Sequence, residues 1–189
     1  MILDLATASD GDLAALAAAG GEAAFAEIMR RHRRSMYRLI IANVGDPDEA
    51  LDLVQETFVS AHGALRRYDA ARPMGAWLAR IAINKCRDWG RRRAVRRAFR
   101  FMVPIENVAD DYADAAPGQD VETADRQELG RMRRAIADLP ASQREPLFLH
   151  AVEGLSQAET AEILSISEKA VETRIRRARR TLQAALADR

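Results

Sequence analysis

The sequence predicts an all-α protein made of two small helical domains joined by a flexible acidic linker. Through most of the 189-residue chain, apolar residues recur every three or four positions, a spacing typical of amphipathic helices. Alanine is abundant, aromatic residues make up only 5%, and clusters of β-branched residues are scarce, so strands are disfavoured. Between residues 101 and 124 the periodicity stops and Pro104, Pro117 and Gly118 appear, which predicts the linker.

The first domain is expected at residues 22–100, after an extension at 1–21 that contains a short helix at 12–19. A helix from Glu22 to Val44 carries one apolar stripe and is ended by Gly45. Pro73 disfavours helix in the residue before it, so residues 69–73 are predicted as a loop. A further helix is expected from Met74 into the arginine-rich stretch.

The segment Asp46-Pro47-Asp48-Glu49 predicts a helix start, with Asp as N-cap and Pro in the first helical position. The helix that follows is expected to face the core with Leu51, Val54, Phe58, Ala61 and Leu65. Its polar residues Asp52, Gln55 and Glu56, together with Val59, then point elsewhere. From the residues alone, this strip is either solvated surface or a protein-binding face.

The second domain is expected at residues 125–189, with helices at 125–138 and 142–152. Ser156 and Glu159 form a capping box that opens a short helix to Leu164. Ser167 is the predicted N-cap of a long last helix that ends near Leu186. The inward stripe of that helix is predicted to be Val171, Ile175, Ala178, Leu182 and Ala185. A short helix, a tight turn and a longer basic helix are the layout of a helix-turn-helix.

Charge is unevenly distributed although the net charge is only +1. Residues 91–100 contain six arginines, residues 104–125 contain seven acids and no base, and five more arginines crowd into 174–180. Such blocks indicate either a polyanion-binding surface beside an acidic tether or a set of solvated helix faces. The excess of arginine over lysine suits phosphate and guanine recognition, and a GC-rich genome would also produce it.

The last helix offers side chains for DNA recognition on the face opposite its apolar stripe. Its first turns present Lys169, Glu172, Thr173 and Arg176, which we expect to reach base edges. Farther along, Arg177, Arg179 and Arg180 are better placed for the phosphate backbone. The alternative is an ordinary basic surface helix.

Residues that would indicate an enzyme, a metal site or a cofactor site are not grouped in this sequence. Cys86 is the single cysteine, and His32, His62 and His150 are far apart. No glycine-rich phosphate loop occurs, so we expect no catalysis, metal or cofactor. No apolar run approaches about 18 residues and no basic leader precedes one, so a cytoplasmic protein without membrane insertion is expected.

Two sequence blocks resemble a known family. DLVQETFVSAHGALRRYD (52–69), followed by WLARIAINKCRDWGRRR (77–93), resembles region 2 of sigma-70-type RNA polymerase sigma factors. The segment 139–182, which begins LPASQREPLFLHAVEGLS, is similar to their region 4. The stretch between them is too short for a region 3, as is typical of the extracytoplasmic-function (ECF) group. The resemblance covers nearly all of residues 22–186.

The resemblance implies three partners and assigns residues to two of them. Core RNA polymerase would be bound at its β′ clamp helices and β flap, with Asp52, Gln55 and Glu56 docking on the clamp helices. Melted −10 promoter DNA would be bound by Tyr68, Asp69, Arg72, Asn84 and Arg87, with a flipped base captured by the loop. Duplex −35 DNA would be read by His150, Glu172, Thr173, Arg176 and Arg179, beside Lys169. An anti-sigma protein that covers both domains is the third implied partner.

Some positions depart from the family pattern or leave alternatives open. Glu172 and His150 stand where many members carry a basic residue, and Ser165 stands where glycine is frequent, which leaves the −35 sequence open. Trp77 is either core or a stacking platform. The acidic linker would thread towards the polymerase active-centre cleft or act as a plain tether. The rival functions are a free-standing helix-turn-helix regulator and, less favoured, a nucleic-acid enzyme.

Overall fold

Helices make up all the regular structure in the part of the chain that can be described. The computed structural model describes residues 4–102 and 124–187. The first stretch contains α1 (Asp10–Ala18), α2 (Glu22–Val44), α3 (Pro47–Ala64), a single 3-10 turn (Leu65–Arg67) and α4 (Met74–Met102). The second contains α5 (Ala124–Asp138), α6 (Ala141–Ala151), α7 (Gln157–Leu164) and α8 (Glu168–Ala187). The all-α prediction is confirmed, and the predicted linker lies almost entirely outside the described residues.

The predicted helix starts follow from side-chain caps. The Asp46 carboxylate accepts hydrogen bonds from the backbone N–H groups of Asp48 and Glu49, at 2.9 and 3.0 Å, and opens α3. The capping box at α7 is also present, with Ser156 and Glu159 each accepting from the other's backbone N–H. Ser9 caps α1, which therefore begins at Asp10 rather than at residue 12 as predicted.

The first core lies between α2, α3 and α4. Its fully buried side chains include Ile28, Met36, Leu39, Ile40, Phe58, Leu78 and Ile83. The prediction for Leu51 is wrong: this side chain is 41% exposed, whereas Leu53 is 2% exposed. The buried series of α3 starts from Ala50 and continues through Leu53 and Val54, which turns Leu51 towards the outer face.

The second core lies between α6, α7 and α8, with Ala161, Val171 and Ile175 buried at its centre. The prediction that Ala185 faces inward is wrong, since this residue is exposed, and Leu182 is only half-buried. With 20 residues against 8 in α7, α8 outruns its neighbour, so its last turns have less to pack against.

The two helical groups are packed against each other. Helices α6 and α7 lie against α2 and α4. Phe148, Leu149, Leu155 and Leu164 join the same apolar cluster as the core of the first group. The two predicted domains therefore share an apolar interface. No helix within residues 4–102 or 124–187 is both long and apolar enough to cross a membrane.

Candidate polymerase and nucleic-acid interfaces

Helix α3 presents an exposed strip on the face opposite its buried residues. Leu51, Asp52, Gln55, Glu56 and Val59 are all exposed and follow one another at helical spacing; we call them the α3 strip. Two of its members are large apolar side chains, with Val59 73% exposed. An acidic centre with an exposed apolar side chain at each end is a surface suited to a protein partner. The exposure of Asp52, Gln55, Glu56 and Val59 was predicted from the sequence, whereas Leu51 was predicted to face the core.

The α3 strip is held in place by contacts between α3 and α4. At the start of α3 the Glu49 carboxylate accepts from the indole N–H of the buried Trp89, at 2.7 Å. Near its middle the Lys85 ammonium lies 3.2 Å from the Glu56 carboxylate. Because both contacts cross to the same helix, the strip is presented on a rigid support.

The loop that leads into α4 is ordered by its own side chains. The Tyr68 hydroxyl donates to the Arg72 carbonyl at 2.6 Å, and the Asp69 carboxylate accepts from the Ala71 N–H at 3.0 Å. The half-buried Tyr68 ring lies 5.1 Å from that of Trp77, which is itself only partly buried. Burial, with the charges of Asp10 and Asp69, raises the pKa of Tyr68. Tyr68, Asp69 and Arg72 are thus brought together in one preformed loop.

The start of α1 forms the opposite wall of a cleft beside this loop. The cleft has a volume of about 570 Å³ and is lined by Ser9, Asp10, Gly11, Asp12, Tyr68, Ala70, Ala71, Arg72, Pro73 and Met74. A Cβ atom at Gly11 would lie 3.3 Å from the Ala70 Cβ, so the two segments are in close contact. The sequence analysis predicted a short helix in residues 1–21 but gave the segment no role; the spacing of Ser9 and Asp12, which form the N-cap contact, could have located the start of α1.

Arg31 fastens this N-terminal segment to α2. Its guanidinium donates to the carbonyls of Leu5, Ala6 and Ala8 at 2.8–2.9 Å and contacts the carboxylates of Asp10 and Glu27. Hydrogen bonds from Arg30 and Arg31 lower the pKa of Glu27 to about 2. The wall formed by α1 is therefore tied to the first core.

The remaining predicted −10 residues lie on α4 and are only partly free. Asn84 is exposed, whereas the Arg87 guanidinium makes two hydrogen bonds to the buried Glu145 carboxylate of α6, at 2.6 and 3.1 Å. This pairing raises the pKa of Arg87. The guanidinium of Arg72 likewise contacts the Glu162 carboxylate of α7. Two of the five predicted residues are therefore paired with acids of the second group.

The predicted −35 residues gather around a groove beside α8. The groove, of about 540 Å³, is lined by His150, Gln157, Glu172, Ile175, Arg176, Arg179, Arg180 and Gln183. His150 reaches it from α6, and its Nδ1 pairs with the Leu155 carbonyl at 2.8 Å, which leaves Nε2 for another partner. Lys169 and Thr173 lie nearer the start of α8 and do not line the groove.

Two glutamines that line this groove were not predicted from the sequence. Gln157 is the first residue of α7 and Gln183 lies late on α8. A glutamine side chain can hydrogen-bond to phosphates and to base edges alike. The start of α7 was predicted, so the position of Gln157 could have been inferred from it.

Residues 4–102 and 124–187 contain neither a cluster of side chains that could bind a metal ion nor an exposed thiol. No group of three or more His, Cys, Asp or Glu side chains is close enough to hold a metal ion there. Cys86 is buried, and burial raises the pKa of its thiol to about 12.

Each of the two helical groups matches a known protein family. The Sigma-70 region 2 family matches residues 28–96, and the Sigma-70 region 4 family matches residues 129–182. The RNA polymerase sigma factor CnrH of Cupriavidus metallidurans is 40% identical over 184 residues, 94% of each chain. The ECF RNA polymerase sigma factor SigM of Mycobacterium tuberculosis is 35% identical over 176 residues, 92% of this chain and 83% of the other.

Solved structures agree with this relationship. The structure of CnrH in complex with the cytosolic domain of CnrY matches with a TM-score of 0.69 and 35% identity, over 95% of this chain and 99% of that one. The sigma factor RpoE from Bartonella quintana, solved with the anti-sigma factor NepR, matches with a TM-score of 0.70 and 26% identity, over 87% and 98%. The chain therefore belongs to the sigma-70 family of RNA polymerase sigma factors, in its ECF group, whose members direct RNA polymerase to promoters and are not enzymes.

Proposed function

We propose that this sigma factor divides promoter recognition among three surfaces: the α3 strip for polymerase, the loop at residues 68–73 with α4 for melted −10 DNA, and the α8 groove for −35 DNA. The corresponding chain division is residues 22–100 for region 2 and 125–189 for region 4, with an extension at 1–21 and a linker at 101–124. The observation that carries the proposal is the two-sided α3, which buries Phe58 while exposing Asp52, Gln55 and Glu56.

The α3 strip is the proposed contact with the β′ clamp helices. Asp52 and Glu56 supply negative charge, Gln55 supplies donors and acceptors, and the exposed side chains of Leu51 and Val59 add apolar area at the two ends. Lys85 holds Glu56 before docking and neutralises part of its charge. Region 4 would meet the polymerase at the β flap while holding DNA.

The loop at residues 68–73 is the proposed pocket for a flipped base of the melted −10 strand. Tyr68 gives the base an aromatic neighbour, and Asp69 offers acceptors for its exocyclic amine. Arg72, Arg87 and the exposed Asn84 are the proposed contacts with the strand, for which the two arginines would exchange their carboxylate partners Glu162 and Glu145. The ordering of the loop by Tyr68 and Asp69 reduces the entropic cost of capturing the base.

The α8 groove is the proposed reader of the −35 element. Arg176 suits guanine and Glu172 suits the cytosine N4 amine, whereas Arg179 would contact phosphate together with its neighbours Arg177 and Arg180. Thr173 and Lys169 extend the contact towards the start of α8. His150 adds Nε2 from the neighbouring helix.

Regulation by an anti-sigma protein is proposed from the relatives. RpoE of Bartonella quintana, similar over most of this chain, was solved with the anti-sigma factor NepR. We expect a comparable partner here, and we expect the factor to act in the cytoplasm, where bacterial RNA polymerase works. Residues 101–124 would pass near the polymerase active-centre cleft.

The polymerase contact is tested by the affinity of the full chain for purified core enzyme. Replacing both Asp52→Ala and Glu56→Ala should weaken binding by about 10- to 100-fold. The matched control is Glu22→Ala with Asp48→Ala, which removes two exposed acids of the same region outside the strip. Equal affinity of the two double variants would contradict the assignment.

The free-standing regulator is tested with duplex DNA. A sigma factor should bind −35 duplex weakly alone and tightly when core polymerase is present. Tight operator-like binding by the isolated chain, unchanged by polymerase, would support the regulator instead. In that case the α3 double variant would also bind DNA normally.

A further inference from the structure

The start of α1 lies against the loop at residues 68–73, for which a role in binding the melted −10 strand is proposed above. The two segments border the same cleft of about 570 Å³. The residues at the start of α1 that line this cleft are mostly polar: Ser9, Asp10, Gly11 and Asp12. The segment that precedes α2 therefore supplies one wall of the cleft in which the flipped base would be held.

The distance between α1 and the loop is set where Gly11 meets Ala70. A Cβ atom at position 11 would lie 3.3 Å from the Ala70 Cβ and 3.7 Å from the Ser9 Oγ. Carbon atoms pack best at about 3.5–4.0 Å, so one added methyl group would displace the loop by a few tenths of an ångström. Glycine is a poor helix former, and at this position it permits the loop to approach α1 closely.

Arg31 of α2 holds the start of α1 in place. Its side chain is 23% exposed, and its guanidinium donates to three backbone carbonyls before α1 and to the carboxylates of Asp10 and Glu27. Arginine presents five N–H donors in a rigid fork, so these contacts fix both the position and the direction of the segment. Moving α1 away from the loop would break several charge-assisted hydrogen bonds.

His32 connects the same segment to the other end of the loop. Its Nε2 pairs with the Asp10 carboxylate at 2.9 Å, and its Nδ1 would lie 3.9 Å from a Cβ atom at Gly75, the second residue of α4. At the first residue of the loop, burial and the charge of Asp10 raise the pKa of Tyr68. The start of α1 is thus in contact with the region at both ends of the loop.

We propose that the start of α1 positions the −10 loop, with Gly11 and Arg31 as positioning residues for the capture of the flipped base. The inference rests on the proposed role of residues 68–73 in holding melted −10 DNA. Gly11 sets the distance between α1 and the loop, and Arg31 keeps α1 from moving away. A loop that is fixed before binding loses less conformational entropy when a base enters, so the contact increases the affinity for melted DNA.

The two positioning residues are tested separately in the full chain, each with a matched control. Gly11→Ala adds one methyl group against Ala70, and Gly130→Ala on α5 adds one where nothing lies within 4 Å. Arg31→Gln removes the contacts to α1, and Arg30→Gln removes a neighbouring arginine whose side chain is 68% exposed. Ala70→Gly, alone and combined with Gly11→Ala, restores space at the contact.

Hydrogen–deuterium exchange of the free protein measures whether α1 orders the loop. The amides of Ala71 and Arg72 donate to Asp69, and they should exchange about three- to tenfold faster in Gly11→Ala and Arg31→Gln than in the controls. Gly11→Ala should nevertheless unfold at or above the wild-type Tm, because alanine favours helix over glycine. A looser loop in a protein of undiminished stability is not expected from a residue that only supports the fold.

Affinity for melted DNA is measured with the holoenzyme and a labelled pool of single-stranded 20-mers, enriched beforehand by selection on the wild-type holoenzyme. Gly11→Ala and Arg31→Gln should raise the Kd for this pool by about three- to tenfold. In the Ala70→Gly background, Gly11→Ala should change the Kd by less than about twofold, because the added methyl group no longer meets a carbon atom. Affinity for core polymerase should stay within about threefold in every variant, since none of these residues belongs to the α3 strip.

Three results would overturn the proposal. The loop amides could exchange equally fast in both variants and their controls, the looser loop could leave the Kd unchanged, or Gly11→Ala could act as strongly in the Ala70→Gly background. The exchange experiment needs neither polymerase nor DNA. A failure of α1 to order the loop is therefore distinguishable from a failure of the proposed function, in which the wild-type holoenzyme would enrich no sequences from the pool.

Discussion

Phe58 and Val59 are neighbours on opposite faces of α3, and truncating them should change the stability of the protein by very different amounts. Phe58 is 2% exposed and packs edge-on against Phe25, with ring centroids 6.4 Å apart, whereas Val59 is 73% exposed. Phe58→Ala removes a buried ring and should cost about 3–5 kcal/mol of unfolding free energy. For a chain of this size that lowers the Tm by about 6–20 °C. Val59→Ala should change the unfolding free energy by no more than about 0.5 kcal/mol.

The assay combines thermal unfolding by circular dichroism with affinity for core polymerase. Val59→Asp should keep the wild-type Tm and weaken polymerase binding by roughly tenfold, because it puts a charge at the apolar end of the α3 strip. Phe58→Ala, measured at a temperature where it is folded, should bind within about threefold of wild type. If Val59→Ala were as destabilising as Phe58→Ala, the two-sided description of α3 would be wrong. If Val59→Asp bound normally, the strip would end before residue 59.

Three further predictions concern pH, thiol reactivity and salt. The pKa of Glu27, lowered to about 2 from an ordinary 4.5, means that its stabilising contribution is present above pH 4.5 and is lost as the pH falls towards 2; urea unfolding of Glu27→Gln should show a smaller acid loss than wild type. Cys86, with a thiol pKa of about 12, should resist iodoacetamide near pH 8 until urea unfolds the chain, and rapid labelling of the native protein would contradict its burial. In holoenzyme binding to −35 duplex, Arg179→Ala should reduce the salt slope by about 1 on all sequences. Arg176→Ala should instead cost about 1–3 kcal/mol on the preferred sequence alone, and identical behaviour of the two variants would remove the distinction between base and phosphate contacts.

Local signals predicted the helices well because the chemistry that sets them is local. Asp46 and Ser156 cap the helices that they were expected to cap, and Gly45 ends α2 with a left-handed φ of 78°. Ser165 adopts a φ of 57° without being glycine, at the turn where the family often has glycine. The turn after α7 therefore has a left-handed conformation at a residue that is not glycine.

Predictions of which helix face is buried were less accurate, because burial depends on what packs against the helix. Leu51 and Leu53 both fit an apolar repeat, and only the approach of α2 and α4 decides that Leu53 is buried. The same limit applies to Ala185, which continues the inward repeat of α8 past the end of its neighbours.

The sequence predicted which residues belong to the candidate site, but not which of them contact one another or other parts of the chain. The groove beside α8 gathers four of the six predicted −35 residues, because a helix face follows from spacing. The pairs Arg87–Glu145 and Arg72–Glu162 join residues 58 and 90 positions apart in the chain, and no local pattern encodes such a distance. The cleft at Tyr68, one wall of which is formed by the start of α1, likewise depends on a contact between residues far apart in the chain, so no local pattern predicts it.

Run-off transcription with purified core polymerase shows whether this chain directs initiation at promoters and whether it does so through the α3 strip. A library of genomic promoter fragments is transcribed with no factor, with the wild-type chain, and with the Asp52→Ala, Glu56→Ala double variant. We expect discrete promoter-dependent transcripts with the wild type, few or none with the double variant, and full activity for the Glu22→Ala, Asp48→Ala control. Transcripts of equal strength from the wild type and the double variant, or none from any fragment with the wild type, would contradict it.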